Sequence, residues 1–109
     1  MAIIKIPGQE ITLAGEKMVL APLTAGPLRQ LLPLFDKIHE LSIAEQLDVA
    51  VDCAYHSLRR NYPDITRERV EDELVDIANM GAVIAAATNA SGLLPAPDAK
   101  EVVAKPRKK

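Results

Sequence analysis

The segment from Ser42 to Tyr62 constrains the fold more than any other part of this chain. Ser42, Ile43, Ala44 and Glu45 form a capping box, with serine at the N-cap and glutamate at the third helical position. A proline, Pro63, closes the segment. At about 100° per residue, Ile43, Leu47, Ala50, Val51, Ala54 and Leu58 fall on one face. Val49 and Cys53 widen that face on one flank and Tyr55 on the other. Glu45, Asp48, Asp52, His56 and Arg59 are left with a narrow stripe. So wide an apolar arc needs neighbours on several sides, which makes this the expected central helix of the domain.

The elements around it follow from local signals. Ile3, Ile4 and Ile6 before Pro7-Gly8, Ile11 and Leu13 around Thr12, and Met18, Val19 and Leu20 after the Ala14-Gly15 turn read as strands of a small hairpin or meander. Thr24 is placed to cap a helix with Pro27 in its first turn, and Leu28, Leu31, Leu32, Phe35 and Ile38 recur at helical spacing. Pro33 lies inside that pattern and predicts a kink or a late start. Thr66 or Asp64 caps a third, peripheral helix with a thin stripe of Val70, Leu74 and Ile77. Asn79 is placed to cap a fourth, Met80 to about Ser91, with Gly92 as its stop. The expected fold is mainly α (α+β): about four helices with a small N-terminal β-hairpin or meander, as one domain over residues 1–94. Residues 95–109, with further prolines and no apolar face, are expected to form a disordered basic tail.

Composition narrows the function. At 109 residues, 49% hydrophobic, the chain fits a single domain with a modest core; with Phe35, Tyr55 and Tyr62 its only aromatics, that core must be aliphatic. Cys53 is the single cysteine, which precludes an internal disulfide and fits a reducing compartment. Neither a secretory signal nor a membrane span is expected. Residues 1–97 carry 8 basic against 13 acidic side chains, and residues 98–109 carry 5 against 2. An acidic body is a poor partner for phosphate backbones. The helix pair over residues 66–91 could be taken for a helix-turn-helix, but its reading helix holds no Arg, Lys or Gln.

No catalytic, metal or cofactor site is expected. His39 and His56 lie on different helices without metal-ligand spacing, Cys53 reads as a small buried hydrophobe, and the Glu71, Asp72, Glu73 run reads as a solvated face. The chain is therefore read as a non-enzymatic protein-binding domain. Arg59, Arg60 and Tyr62, at the end of the central helix, are candidate protein-binding residues, since Arg and Tyr are favoured at interfaces; helix capping explains them as well. Ala82, Ala85, Ala86 and Ala90 on the fourth helix are candidates for self-association, which makes a homo-oligomer the expected state.

Three stretches carry a family resemblance: LAPLTAGPLR at residues 20–29, HSLRRNYPDIT at residues 56–66, and the run from Asn79-Met80 to the Ala90-Ser91-Gly92-Leu93 ending. Over residues 11–93 the chain resembles the tail assembly chaperones of long-tailed double-stranded DNA phages and prophages. The resemblance implies a protein that binds the tape measure protein, and possibly the tail tube protein, and keeps the tape measure soluble until the tube polymerises. It implies a place in the host bacterial cytoplasm and absence from the mature virion. In many such phages a ribosomal frameshift near the end of the gene also produces a longer form. The rival readings are a structural tail or connector component, which stays in the particle, and a small helical transcription regulator.

Overall fold

A computed structural model describes residues 6–93. The expected Ile3 and Ile4 strand and the 95–109 tail lie outside them. The described residues form a two-stranded antiparallel hairpin followed by four helices, as the sequence predicts.

Strands β1 (Gln9–Leu13) and β2 (Glu16–Leu20) pair in the register Ile11 to Met18 and Leu13 to Glu16. Ala14 and Gly15 form the two-residue turn, both with positive φ, 52° and 82°. That handedness matches the right-handed twist of the strands. The two-residue side-chain period then puts Leu13, Met18 and Leu20 into the core and leaves Thr12 and Lys17 in solvent.

Helix α1 (Ala25–Asp36) starts where Thr24 predicts, although the Thr24 side chain makes no capping bond. Pro33 neither delays nor ends it. Pro33 has no N–H to offer the Arg29 carbonyl, but both residues are exposed, so water can satisfy that oxygen. A 3-10 turn (Ile38–Glu40) follows, which takes Ile38 off the α1 stripe.

Helix α2 (Ile43–Leu58) opens with both bonds of the capping box: Glu45 N–H donates to Ser42 Oγ at 3.2 Å, and Ser42 N–H to Glu45 Oε1 at 3.0 Å. The Ser42 N–H, with the Ser42 hydroxyl beside it, holds the Glu45 carboxyl below its ordinary pKa. The helix is central, packing against β2, α1 and the later helices. Val49, Ala50, Val51, Cys53, Ala54, Ser57 and Leu58 are buried, whereas Ile43, in the first turn, is 52% exposed. The helix ends at Leu58, short of the expected Tyr62, and residues 59–62 wind down as turns with Tyr62 N–H bonded to Leu58 O at 2.8 Å.

The third helix departs most from expectation. Thr66 Oγ1 caps it by accepting from Arg69 N–H at 3.0 Å. A single α turn, α3 (Arg67–Arg69), then widens into a π turn (Val70–Leu74) closed by Val75 N–H on Val70 O. The extra residue in the turn brings Val75 into the core beside Val70 and Leu74. Ile77, expected on the buried stripe, lies past the helix end and is 65% exposed. Asp76 and Asn79 exchange backbone-to-side-chain bonds, and Asn79 Nδ2 donates to Leu74 O. Asn79 therefore reaches back to the π turn; it makes no capping bond to the helix it precedes.

Helix α4 (Met80–Ala90) packs on α2 and on the hairpin, nearer β1 than β2. It stops at Gly92, φ 83°, with Leu93 N–H on Thr88 O and Gly92 N–H on Asn89 O. Those two bonds are the Schellman pair that a C′ glycine permits. Among the described residues no helix is long and apolar enough to cross a membrane.

Candidate functional site

Residues 59–62 follow the last turn of α2, where the Asn61 and Tyr62 N–H groups both reach back to Leu58 O. Arg60 Nη1 donates to Pro22 O at 2.8 Å. Asn61, 4% exposed, receives the Ile6 N–H on Oδ1 at 2.9 Å and donates Nδ2 to Ile6 O at 2.7 Å. Its amide pairs with a backbone peptide unit as a neighbouring strand would. Tyr62 Oη accepts the Val19 N–H at 3.0 Å, which occupies one outward-pointing group on the outer edge of β2. Arg60, Asn61 and Tyr62 thus fasten the N-terminal segment to the helices, each through a side-chain hydrogen bond within the chain. Arg59 alone remains exposed, its guanidinium 5.6 Å from the centre of the Tyr55 ring. The Tyr55 ring in turn meets His56 edge-on at 5.3 Å. Asn61, absent from the sequence-based candidates, is the most buried member of the group.

The four alanines of α4 do not share a surface. Ala82 and Ala85 are exposed and Ala90 is partly exposed, but Ala86 is 7% exposed and sits in the core. Ala86 lies about 60° from Val83 around the helix, on the side away from Ala87, and the three residues span a buried arc of about 100°.

A second feature was not anticipated. A cleft of about 240 Å³ lies between α1 and α2, lined by Pro27, Gln30, Leu31 and Leu34 on one side and Asp52 and His56 on the other. It exists because α1 is lightly docked. Of its apolar side chains only Leu31 is buried; Leu28, Leu34 and Phe35 are half-buried, and Leu32 is exposed. The opposite wall is polar. Asp52 is tied to Arg67 at 2.5 Å, and Arg67 to Glu71 at 3.2 Å. Burial, opposed by Asp52, lowers the pKa of His56 and favours its neutral form. The cleft therefore offers an aliphatic wall, one neutral imidazole and one carboxylate already paired.

The remaining reactive side chains are remote from such chemistry. Cys53 is buried, and burial, with Asp52 adding to it, pushes its thiol up to about 12. His39 is exposed on the 3-10 turn. Among the described residues, no group of three or more His, Cys, Asp or Glu side chains is placed to hold a metal ion. Glu71 and Glu73 are exposed and paired with Arg67 and Arg69 one turn earlier. Compared with family models, with curated proteins and with solved structures, the chain matches none.

Proposed function

We propose that this protein is a phage tail assembly chaperone that binds the tape measure protein and keeps it soluble until the tail tube polymerises around it. The resemblance in residues 20–29, 56–66 and 79–93 names the family. The observation that carries the reading to a surface is the half-covered apolar face of α1 beside the α1–α2 cleft. A long helical protein exposes an apolar stripe until tube subunits cover it, and an aliphatic face can cover such a stripe without demanding a particular sequence. Release must follow, so shallow apolar contact from several copies suits the task better than one tight site. Leu34, which lines the cleft, and half-buried Phe35 and exposed Leu32, further round α1, supply the contact, and Arg59, exposed one turn beyond His56 on α2, supplies a charge for partner carboxylates. Arg60 and Tyr62 act in this scheme by holding the hairpin, and the acting chain works in the host cytoplasm without entering the virion.

The test is co-expression with the tape measure protein of the same phage. The expected result is a soluble, co-purifying complex that a Leu32→Asp/Phe35→Asp variant, still folded, fails to form. Equal insolubility of the tape measure protein with and without this chain rejects the chaperone reading. This chain among the proteins of purified virions would favour the structural tail component instead.

A further inference from the structure

The hairpin has two edges, and they differ: the edge of β2 carries Lys17 and gives one outward group, the Val19 N–H, to Tyr62, whereas no outward group of β1 is bonded to another element among the described residues. With a two-residue turn, the pair closest to the turn, Leu13 with Glu16, exchanges both backbone bonds. Pairs then alternate, so Ile11–Met18 and Gln9–Leu20 are bonded, whereas Thr12–Lys17 and Glu10–Val19 point their backbone groups outward. The Val19 N–H obeys this rule: it points away from β1 and meets Tyr62. On β1 the outward groups belong to Glu10 and Thr12. Among the described residues these find no comparable cover; only Gln9 Nε2 touches Glu10 O, at 3.5 Å. Both residues are exposed. Of the usual devices that blunt an edge, the strand holds no proline, no lysine and no bulge, and Glu10 is its one charge.

We propose that the outer edge of β1 pairs antiparallel with β1 of a second copy of this chain, about a two-fold axis at Ile11, joining the two hairpins into one sheet. The register follows from the backbone. Centring the axis on Ile11 sets Glu10 of each copy opposite Thr12 of the other, so every outward N–H and C=O of those residues gains a partner. The side chains agree with it. On the core face, Ile11, only partly buried in the single chain, meets its own copy, and the row Met18, Ile11, Ile11, Met18 is apolar throughout. On the outer face, Glu10 meets Thr12, so no like charges are opposed, and Lys17 stands beside that Thr12 with its charge turned to the same row. A lone two-stranded sheet is the weakest form of β-structure, and doubling it removes the unpaired edge. This pairing is independent of the tape measure assignment.

The proposal makes a test of sign. Position 12 is exposed and contributes no bond to β2, so it tolerates change. In sedimentation equilibrium of the full chain, the 11.8 kDa protomer should associate reversibly to a dimer. Thr12→Glu, which opposes Glu10 of the other copy, should raise the dissociation constant by about tenfold, and Thr12→Lys should lower it. Ile11→Cys should form an intermolecular disulfide under mild oxidation, because facing residues of a non-bonded antiparallel pair lie about 4.5 Å apart at Cα. Lys17→Cys, three strand spacings (about 14 Å) from its copy, should not. A wild-type protein that stays a protomer at millimolar concentration overturns the proposal. So do Thr12 variants that shift the constant in the same direction, or a Lys17→Cys protein that cross-links as readily as Ile11→Cys.

Discussion

At the scale of the residue, the segment 59–62 separates what a side chain suggests from what it does. Arginine and tyrosine at a helix end invite a partner, yet Tyr62 Oη is committed to Val19 and Arg60 to Pro22. Tyr62→Phe removes the acceptor and strands a half-buried N–H, so the domain should lose about 1–2 kcal/mol. Thermal melting should show that as a drop of about 4–8 °C for each kcal/mol. Arg59→Ala, which gives up only an exposed contact with the Tyr55 ring, should stay within about 0.5 kcal/mol of wild type. Equal melting temperatures for Tyr62→Phe and wild type would mean that water replaces the phenol at that edge. Ser57 shows the opposite imbalance: it is fully buried on α2, and its hydroxyl has no hydrogen-bond partner among the described residues.

At the scale of the element, α4 carries a sharp contrast between neighbouring alanines. Ala86→Glu would bury an uncompensated carboxylate and should lower the melting temperature by more than about 10 °C. Ala82→Glu, in solvent, should leave it within a few degrees. Matching losses in the two variants would place both alanines on one surface. Elements whose limits are set locally were legible in the sequence. Ser42 and Glu45 bond each other, Thr66 bonds three residues ahead, and Gly92 needs only its own positive φ to end α4. The third helix was not legible past its first turn, because its periodicity points to Ile77 while the π turn brings in Val75. Nothing in the local sequence selects a five-residue closure; packing of Val70, Leu74 and Val75 against α2 does. The candidate site was hidden for the same reason. Asn61 with Ile6 and Tyr62 with Val19 are separated by 55 and 43 positions, and the α1–α2 cleft depends on how far apart two helices settle.

At the scale of the whole molecule, stability should follow the protonation of His56. Its folded pKa lies below the ordinary value of 6.5, chiefly through burial against α1, with Asp52 partly offsetting that. Below 6.5 the unfolded chain takes up a proton that the folded chain resists, so stability falls as the pH drops through that window. Melting between about pH 7.5 and pH 5.5 should show a declining midpoint, and His56→Gln should flatten the decline. Glu45 acts in a lower window: its carboxylate is favoured in the fold, so its contribution is present above 4.5 and disappears as the pH falls further. An unchanged slope in His56→Gln would assign the decline to other groups.

The bonds from Asn61 and Tyr62 to the hairpin also set an order in time. During synthesis β1 and β2 emerge first, with Leu13, Met18 and Leu20 on a face that belongs under α2 and α4. Their clamp lies about 40 residues later, and the last helix that covers them about 70 residues later. At roughly 5–20 residues per second, the hairpin waits from about 4 to 14 seconds for its roof. Through that interval both of its edges are open, so on a crowded message the nascent hairpin of one ribosome is within reach of the next, and pairing between copies can precede the completion of either.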